Sequence, residues 1–400
     1  MKNTRHFRIL LAMLLLAALN TIMAEPEPNA LPAVVKLTDV WIETEETPTY
    51  HGWPTLIRLQ DGRLAAVCSG HRKAHIDPFG RVYFYTSKDD GKTWSAPKAL
   101  SNGPLDDRDA GIIQLPDGAI LVNYFTSLAF LSCIRDGRKI SPDWQEAMQN
   151  ITLAQCNEGL GQFMLRSTDG GATWEDKWAV PVGNVHGPCL LKDGALLWVG
   201  RNINYNRQMT ENRYDDSVIA CRSEDGGRTW QQLARLPEVP GQKQTQWHEV
   251  HQIQTADGTI VCHIRNENPS AKMMLGADFA GGATTWQSES TDGGRTWTTP
   301  HLVCYGVCNH LLNLPDGRLL MTYGYRKAPC GVRARLSGDN GQTWGDELVL
   351  CDDGDNGDLG YPSTVVLPDG SLATLWYQNR KAKGMASLRC LRWRLQDAEK

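Results

Sequence analysis

Three residues with clear chemical potential stand at a fixed distance from a recurring turn. In HEVHQIQTADGTIVCHIRN, Glu249 lies eight residues before the Asp of a D-G turn at 257, and Arg265 lies eight after it. In DLGYPSTVVLPDG, Tyr361 lies eight before the Asp at 369. A carboxylate, a guanidinium and a phenol are unusual at such equivalent strand ends. An unperturbed phenol has a pKa near ~10 and becomes a nucleophile only beside a base. A guanidinium forms fork-shaped hydrogen bonds with carboxylates. Plainer roles are also open: a structural Glu249–Arg265 ion pair, and a Tyr361 that stacks on a ligand without reacting.

The elements that must position these residues come from two interleaved repeats. STDGGRTW (290–297) has close copies in SKDDGKTW (87–94), STDGGATW (167–174), SEDGGRTW (223–230) and SGDNGQTW (337–344), all reading S-x-D-x-G-x-T-W. Ser and Asp can bond backbone N–H groups, Gly supplies a positive φ, Thr restarts a strand and Trp presents an apolar face, so the motif is a structural turn. Between the boxes come D-G hairpin turns with their Asp at 61, 117, 193, 257, 316 and 369, each flanked by β-prone runs. Each unit of about sixty residues therefore reads as a four-stranded antiparallel sheet, and the expected fold is an all-β, six-bladed β-propeller occupying 25–400 as one domain. The last unit lacks a box, so the early segment 34–42 is expected to supply its outer strand and close the ring.

This arrangement puts D-G turns and boxes on one face and the strand ends and long insertions (127–162, 203–216, 266–285) on the other, where binding belongs. The eight-residue count also brings Trp53, Asp109, Val185 and Cys308 to the rim before a turn, and Ser69, Phe125, Arg201, Gly324 and Tyr377 after one. His310, Tyr325 and Arg326, in NHLLNLPDGRLLMTYGYR, are rim candidates for either ligand contact or strand packing.

The remaining composition excludes several function classes. A basic start (Lys2, Arg5, Arg8) followed by the apolar run 9–19 and Ala24 reads as a signal peptide over 1–24, so a secreted or periplasmic protein is expected. No segment reads as a membrane span. The chain carries a net charge of −4, and the segment 1–24 holds three basic residues and no acidic ones, so nucleic acid is a poor partner. Eleven cysteines leave at least one unpaired within the chain, and Cys68, Cys189 and Cys262 sit in strand-like runs as small hydrophobes. Neither Cys304/Cys308 nor His248-Glu249-x-His251 has a zinc pattern, and no metal or cofactor is expected. DDGDNGD (352–358) reads as a solvated acidic loop.

With these boxes and rim residues, the whole chain after the signal resembles the exo-α-sialidase (neuraminidase) family of Asp-box (BNR-repeat) propellers. The resemblance implies removal of terminal sialic acid, or a related acidic sugar, from glycoconjugates with retention of configuration. It makes Tyr361 the nucleophile, Glu249 its base, and Arg265 and Arg333 (in GVRARLSGDNGQTW) the clamp for the substrate carboxylate. Asp77, in HIDPFGRVYFYTSKDDG, is the implied acid/base, although an Asp before Pro is also a common turn former. A phenol suits an anomeric carbon bearing a carboxylate, because a charged nucleophile would be repelled there. The chain departs from the family at HGWP (51–54), where Gly52 replaces the first carboxylate-binding Arg. Arg72 and Arg108 are candidate replacements. The departure also leaves open a hydrolase or lyase for uronic-acid glycans, and a non-catalytic carbohydrate-binding propeller.

Overall fold

The computed structural model describes residues 32–42, 50–131, 137, 140–205, 212–268, 283–381 and 384–396, with the side chains of 203–205 and 212–216 outside that description. The segment 1–24 and most of the insertion 266–285 fall outside it as well. The chain divides into a main unit, Val34–Arg394, and a small one, Met1–Ala33 with Leu395–Lys400. Of the small unit, only residues 32, 33, 395 and 396 are described.

Four antiparallel sheets of four strands follow in chain order. The first two strands of each are Asp106–Gln114 with Ile120–Ser127, Cys189–Leu190 with Leu196–Tyr205, Trp247–Gln254 with Ile260–Asn266, and Val307–Asn313 with Leu319–Tyr325. The remaining strands corrected our expectation of six separate four-stranded blades. Tyr50–Arg58, Leu64–Arg72, Arg81–Ser87 and Lys98–Ala99 join Leu359–Val366, Leu372–Arg380 and Met385–Gln396 in a single eight-stranded sheet. The physical reason is one parallel pairing, Tyr50 with Ala386, which merges strands from the two ends of the chain. The eighth strand of this sheet, Ala33–Ile42, pairs with Met385–Gln396, as the missing sixth box suggested.

The boxes are structural turns. In the box at 290–297, the Ser290 hydroxyl donates to Asp292 Oδ1 (2.9 Å) and accepts from Gly294 N (2.9 Å), while Thr296 donates to Asp292 through its N and its Oγ1. Each such bond contributes on the order of 1 kcal/mol net. The second glycine of the box has φ +91°, and a Cβ there would lie 2.8 Å from Leu197 of the preceding sheet. Both the backbone and the packing therefore demand glycine. The box tryptophans complete the contact between sheets; the Trp174 ring meets Phe84 edge-on at 5.6 Å.

The insertion 127–162 is not a bare loop. It holds helices Pro142–Asn150 and Leu153–Gly159, the second opened by a capping box between Thr152 and Gln155. Residues within 203–216 extend the hairpin Leu196–Tyr205 to Asn212–Ser223. All ten described cysteines are free thiols, and Cys68 and Cys262 are buried in strands as expected.

Candidate functional site

A repeated backbone irregularity marks four of the strand starts. Trp53, Asp109, Cys308 and Tyr361 all adopt left-handed φ (56°, 49°, 53° and 55°), which costs non-glycine residues roughly 1–3 kcal/mol each. At each of these positions the strand register shifts against its neighbour: between Gly52 and Thr55, Arg108 and Gly111, Val307 and His310, and Gly360 and Ser363. A bulge turns one side chain out of the pleat. These are four of the six positions that the eight-residue count marked before a turn; Val185 and Glu249 are not left-handed.

The result is a compact charged cluster. The Tyr361 hydroxyl donates to Glu249 Oε1 and accepts from Arg265 Nη1 at 3.1 Å. Arg265 Nη1 also reaches both Glu249 oxygens at 3.0 Å and Cys308 Sγ at 3.5 Å, and Nη2 donates to Glu267. Burial by itself would raise the Glu249 carboxyl, but Arg265 and His248, with the Tyr361 hydrogen bond, hold it down at about 2. Burial pushes the Tyr361 phenol well above its usual range, and Cys308 and Glu249 push the same way. The resting pair is therefore a neutral phenol bonded to a carboxylate.

Beside Glu249 opens a cavity of about 200 Å³ lined by Arg108, Asp109, Phe125, Arg201 and His248, among others. Arg201 Nη1 lies 3.4 Å from His248 Nδ1. Asp109 Oδ1 is buried without a hydrogen-bond partner, and burial, partly offset by Arg108, lifts its carboxyl to about 6. The Trp53 ring carries the guanidinium of Arg108 at 4.5 Å and that of Arg72 at 4.9 Å. Arg326 lies 5.9 Å from the centre of the Tyr361 ring and donates to Tyr377 Oη at 3.3 Å.

Other residues singled out from the sequence have different surroundings. Arg333 is 3% exposed in its side chain, and its donors go to Glu347 (3.2 Å), Pro329 O (3.0 Å), Val332 O and Cys351 O. Among the described contacts it has none with Tyr361, Glu249 or Arg265, and its guanidinium covers the Tyr325 ring at 4.7 Å. Arg72 is fully buried and ion-paired with Asp106. Asp77 is fully buried, and its two oxygens accept Lys73 N (3.1 Å) and Phe79 N (2.9 Å). His310 stacks on His251 at 4.6 Å and meets His186 edge-on at 5.1 Å, so its surroundings are those of a buried packing residue.

A second cluster escaped the sequence reading. Asp358, at the end of the segment read as a solvated acidic loop, accepts hydrogen bonds from Tyr50 (2.9 and 3.0 Å), Tyr377 (3.0 Å) and Asn379 (3.2 Å), and lies 3.1 Å from His75 Nδ1. Tyr50 and Tyr377 also explain the departure at Gly52. A Cβ at Gly52 would lie 3.2 Å from the Tyr50 ring and 3.7 Å from the Tyr377 ring, so aromatic rings crowd the start of any side chain there. No local pattern marks these residues, because their partners lie up to 308 positions away.

The comparisons with known proteins agree with this geometry at the level of fold. The chain resembles a protein of unknown function from Dyadobacter fermentans DSM 18053, with 25% identity over 92% of this chain and 100% of the other and a TM-score of 0.71. It is also similar in fold to the NanB sialidase from Streptococcus pneumoniae, with 13% identity over 91% and 71% of the two chains and a TM-score of 0.61. An alpha-L-arabinanase from Penicillium chrysogenum shares the fold at 13% identity over 89% and 98%, with a TM-score of 0.56. No curated protein sequence matches the chain. Its sequence matches the BNR repeat-like domain over residues 38–240 and again over 152–374, and the chain belongs to that family.

Proposed function

We propose that the protein is a retaining glycoside hydrolase of the exo-α-sialidase type, which removes terminal sialic acid or a related acidic sugar from glycoconjugates outside the cytoplasm. The observation that carries this reading is the hydrogen bond from the Tyr361 hydroxyl to Glu249, with one Arg265 nitrogen bonded to both. In the reaction Tyr361 attacks the anomeric carbon and passes its proton to Glu249. With a carboxyl held near 2, Glu249 is a poor base at rest. A substrate carboxylate that draws Arg265 away removes the main opposing charge, so Glu249 becomes more basic when substrate binds.

Arg265, Arg326, Arg108 and Arg201 supply the positive charge for an acidic sugar in the absence of an arginine at position 52. Asp109, with an unpartnered oxygen at the cavity wall, and His248 are the polar groups available to sugar hydroxyls. Rates on a fluorogenic sialoside test the reading: Tyr361→Phe is expected to lower kcat/KM by at least ~10³-fold, in the range for loss of a covalent nucleophile. Undiminished turnover in that variant would remove Tyr361 from the chemistry.

A second reading concerns the sugar alone. The crowding at Gly52 and the engagement of Arg333 elsewhere leave a carboxylate clamp unlike that of the family, which favours a different acidic sugar such as a uronate. Release of an unsaturated uronate, seen as ultraviolet absorbance, would identify a lyase on the same scaffold.

A further inference from the structure

We infer that His75, positioned by Asp358, is the group that exchanges a proton with the glycosidic oxygen and then with water; this rests on the hydrolytic reading above. Asp77, in the same loop, has both oxygens occupied by backbone N–H groups and no exposed surface, so it cannot meet a leaving group without breaking its own turn. The His75 side chain is 46% exposed. Its Nδ1 lies 3.1 Å from Asp358 Oδ1 and 3.0 Å from the Tyr50 hydroxyl, which itself donates to Asp358. Nδ1–H is therefore directed at the carboxylate, and Nε2 is the nitrogen left for exchange. Asp358 cannot swing away, since Tyr50, Tyr377 and Asn379 all bond to it.

His75 also stands next to the nucleophile's surroundings. Its ring meets Trp53 edge-on at 4.9 Å, and the same indole meets Tyr361 edge-on at 6.3 Å. The two groups thus flank one aromatic wall, with Arg108 over its face. In the first step the Tyr361 oxygen bonds to the anomeric carbon, its proton passes to Glu249, the bond to the leaving oxygen breaks and the His75 imidazolium gives that oxygen its Nε2 proton. In the second step neutral Nε2 takes a proton from water, the water oxygen bonds to the anomeric carbon, the bond to Tyr361 breaks and Glu249 returns its proton to the phenol. The charged or titratable groups facing His75 are Asp358, Tyr50, Arg108 and Arg326; burial and the two arginines favour its neutral form, while Asp358 favours the cation.

The test compares sialosides with good and poor leaving groups. His75→Gln is expected to lower kcat/KM on 3′-sialyllactose by ~10²–10⁴-fold, but on a 4-nitrophenyl sialoside by less than ~10-fold, since a good leaving group needs no proton. The wild type should lose activity on 3′-sialyllactose as pH rises through the imidazole pKa, and the variant should lack that limb. Azide should restore turnover of the nitrophenyl substrate by the variant. Equal losses on both substrates, or the leaving-group pattern in Asp77→Asn instead, would overturn the proposal. If the wild type cleaves no sialoside, the functional reading fails, and the imidazole titration followed by NMR decides the dyad: Asp358→Asn should lower the His75 pKa, and an unchanged value would sink it.

Discussion

Two clusters in this molecule solve the same problem in different ways. In one, Glu249 holds the hydroxyl of Tyr361; in the other, Asp358 holds those of Tyr50 and Tyr377. Burial and neighbouring charge raise all three phenols, and both carboxyls are held at about 2 despite burial. The difference lies in the third member. Beside Glu249 it is Arg265, a cation at every accessible pH. Beside Asp358 it is His75, a titratable imidazole whose pKa burial and two arginines lower against the opposing pull of Asp358, and whose side chain reaches solvent. A permanent cation suits a site that must bind an anion, and a titrating one suits a site that must move a proton. Backbone geometry differs too: Tyr361 occupies a left-handed bulge, whereas Tyr50 and Tyr377 lie in strands without a positive φ. Backbone strain therefore marks one cluster and is absent from the phenols of the other.

The division of labour can be broken at either end. On the proposed reading, Glu249→Gln should have the largest effect, a fall of about 10³-fold in kcat/KM on every sialoside, because Tyr361 would lose its base whatever the leaving group. Asp358→Asn should cost about 10–100-fold on poor leaving groups and little on good ones, because only orientation and charge support for His75 are lost. Effects of equal size and leaving-group profile in the two variants would show that the clusters are not specialised. Acid stability offers a weaker test. Both carboxyls have folded pKa values depressed to about 2, so each contributes stability above its unfolded value near ~4, lost as pH falls toward 2. Urea midpoints measured from pH 5 down to pH 2 should therefore drop less steeply in either variant than in the wild type. The smallest effect should follow Asp292→Ala in the exposed box at 290–297: a fall of a few degrees in melting temperature, with kcat/KM on the fluorogenic sialoside unchanged.

Much of the scaffold was legible because its determinants are local. A box needs only Ser290, Asp292, Gly294 and Thr296 within seven residues, and their bonds close within the turn. The same regularity let a count of eight residues find Glu249, Arg265 and Tyr361, since each blade places its rim at one strand length from its hairpin. The blade count was misjudged because Tyr50 pairs with Ala386 across 336 positions, and no repeat length encodes that junction. The resemblance pointed to Asp77 through its place in the loop before the first box; side-chain direction within that loop is set by tertiary packing, and there His75 is exposed while Asp77 is buried.

The amino-acid sequence by itself determined the repeating β-sheets, the turns that end them and the three residue types at the rim, because hydrogen bonds and side-chain alternation within a few residues dictate those features. Tertiary structure alone decided that Tyr361 bonds Glu249, that Arg333 is spent on Glu347 and backbone carbonyls, and that Tyr50, His75 and Tyr377 gather on Asp358. Apart from the bonds of Arg333 to Val332 O and Pro329 O, such contacts join groups 14 to 308 positions apart, and the closing of the sheets against one another, which no local rule reports, brings most of them together.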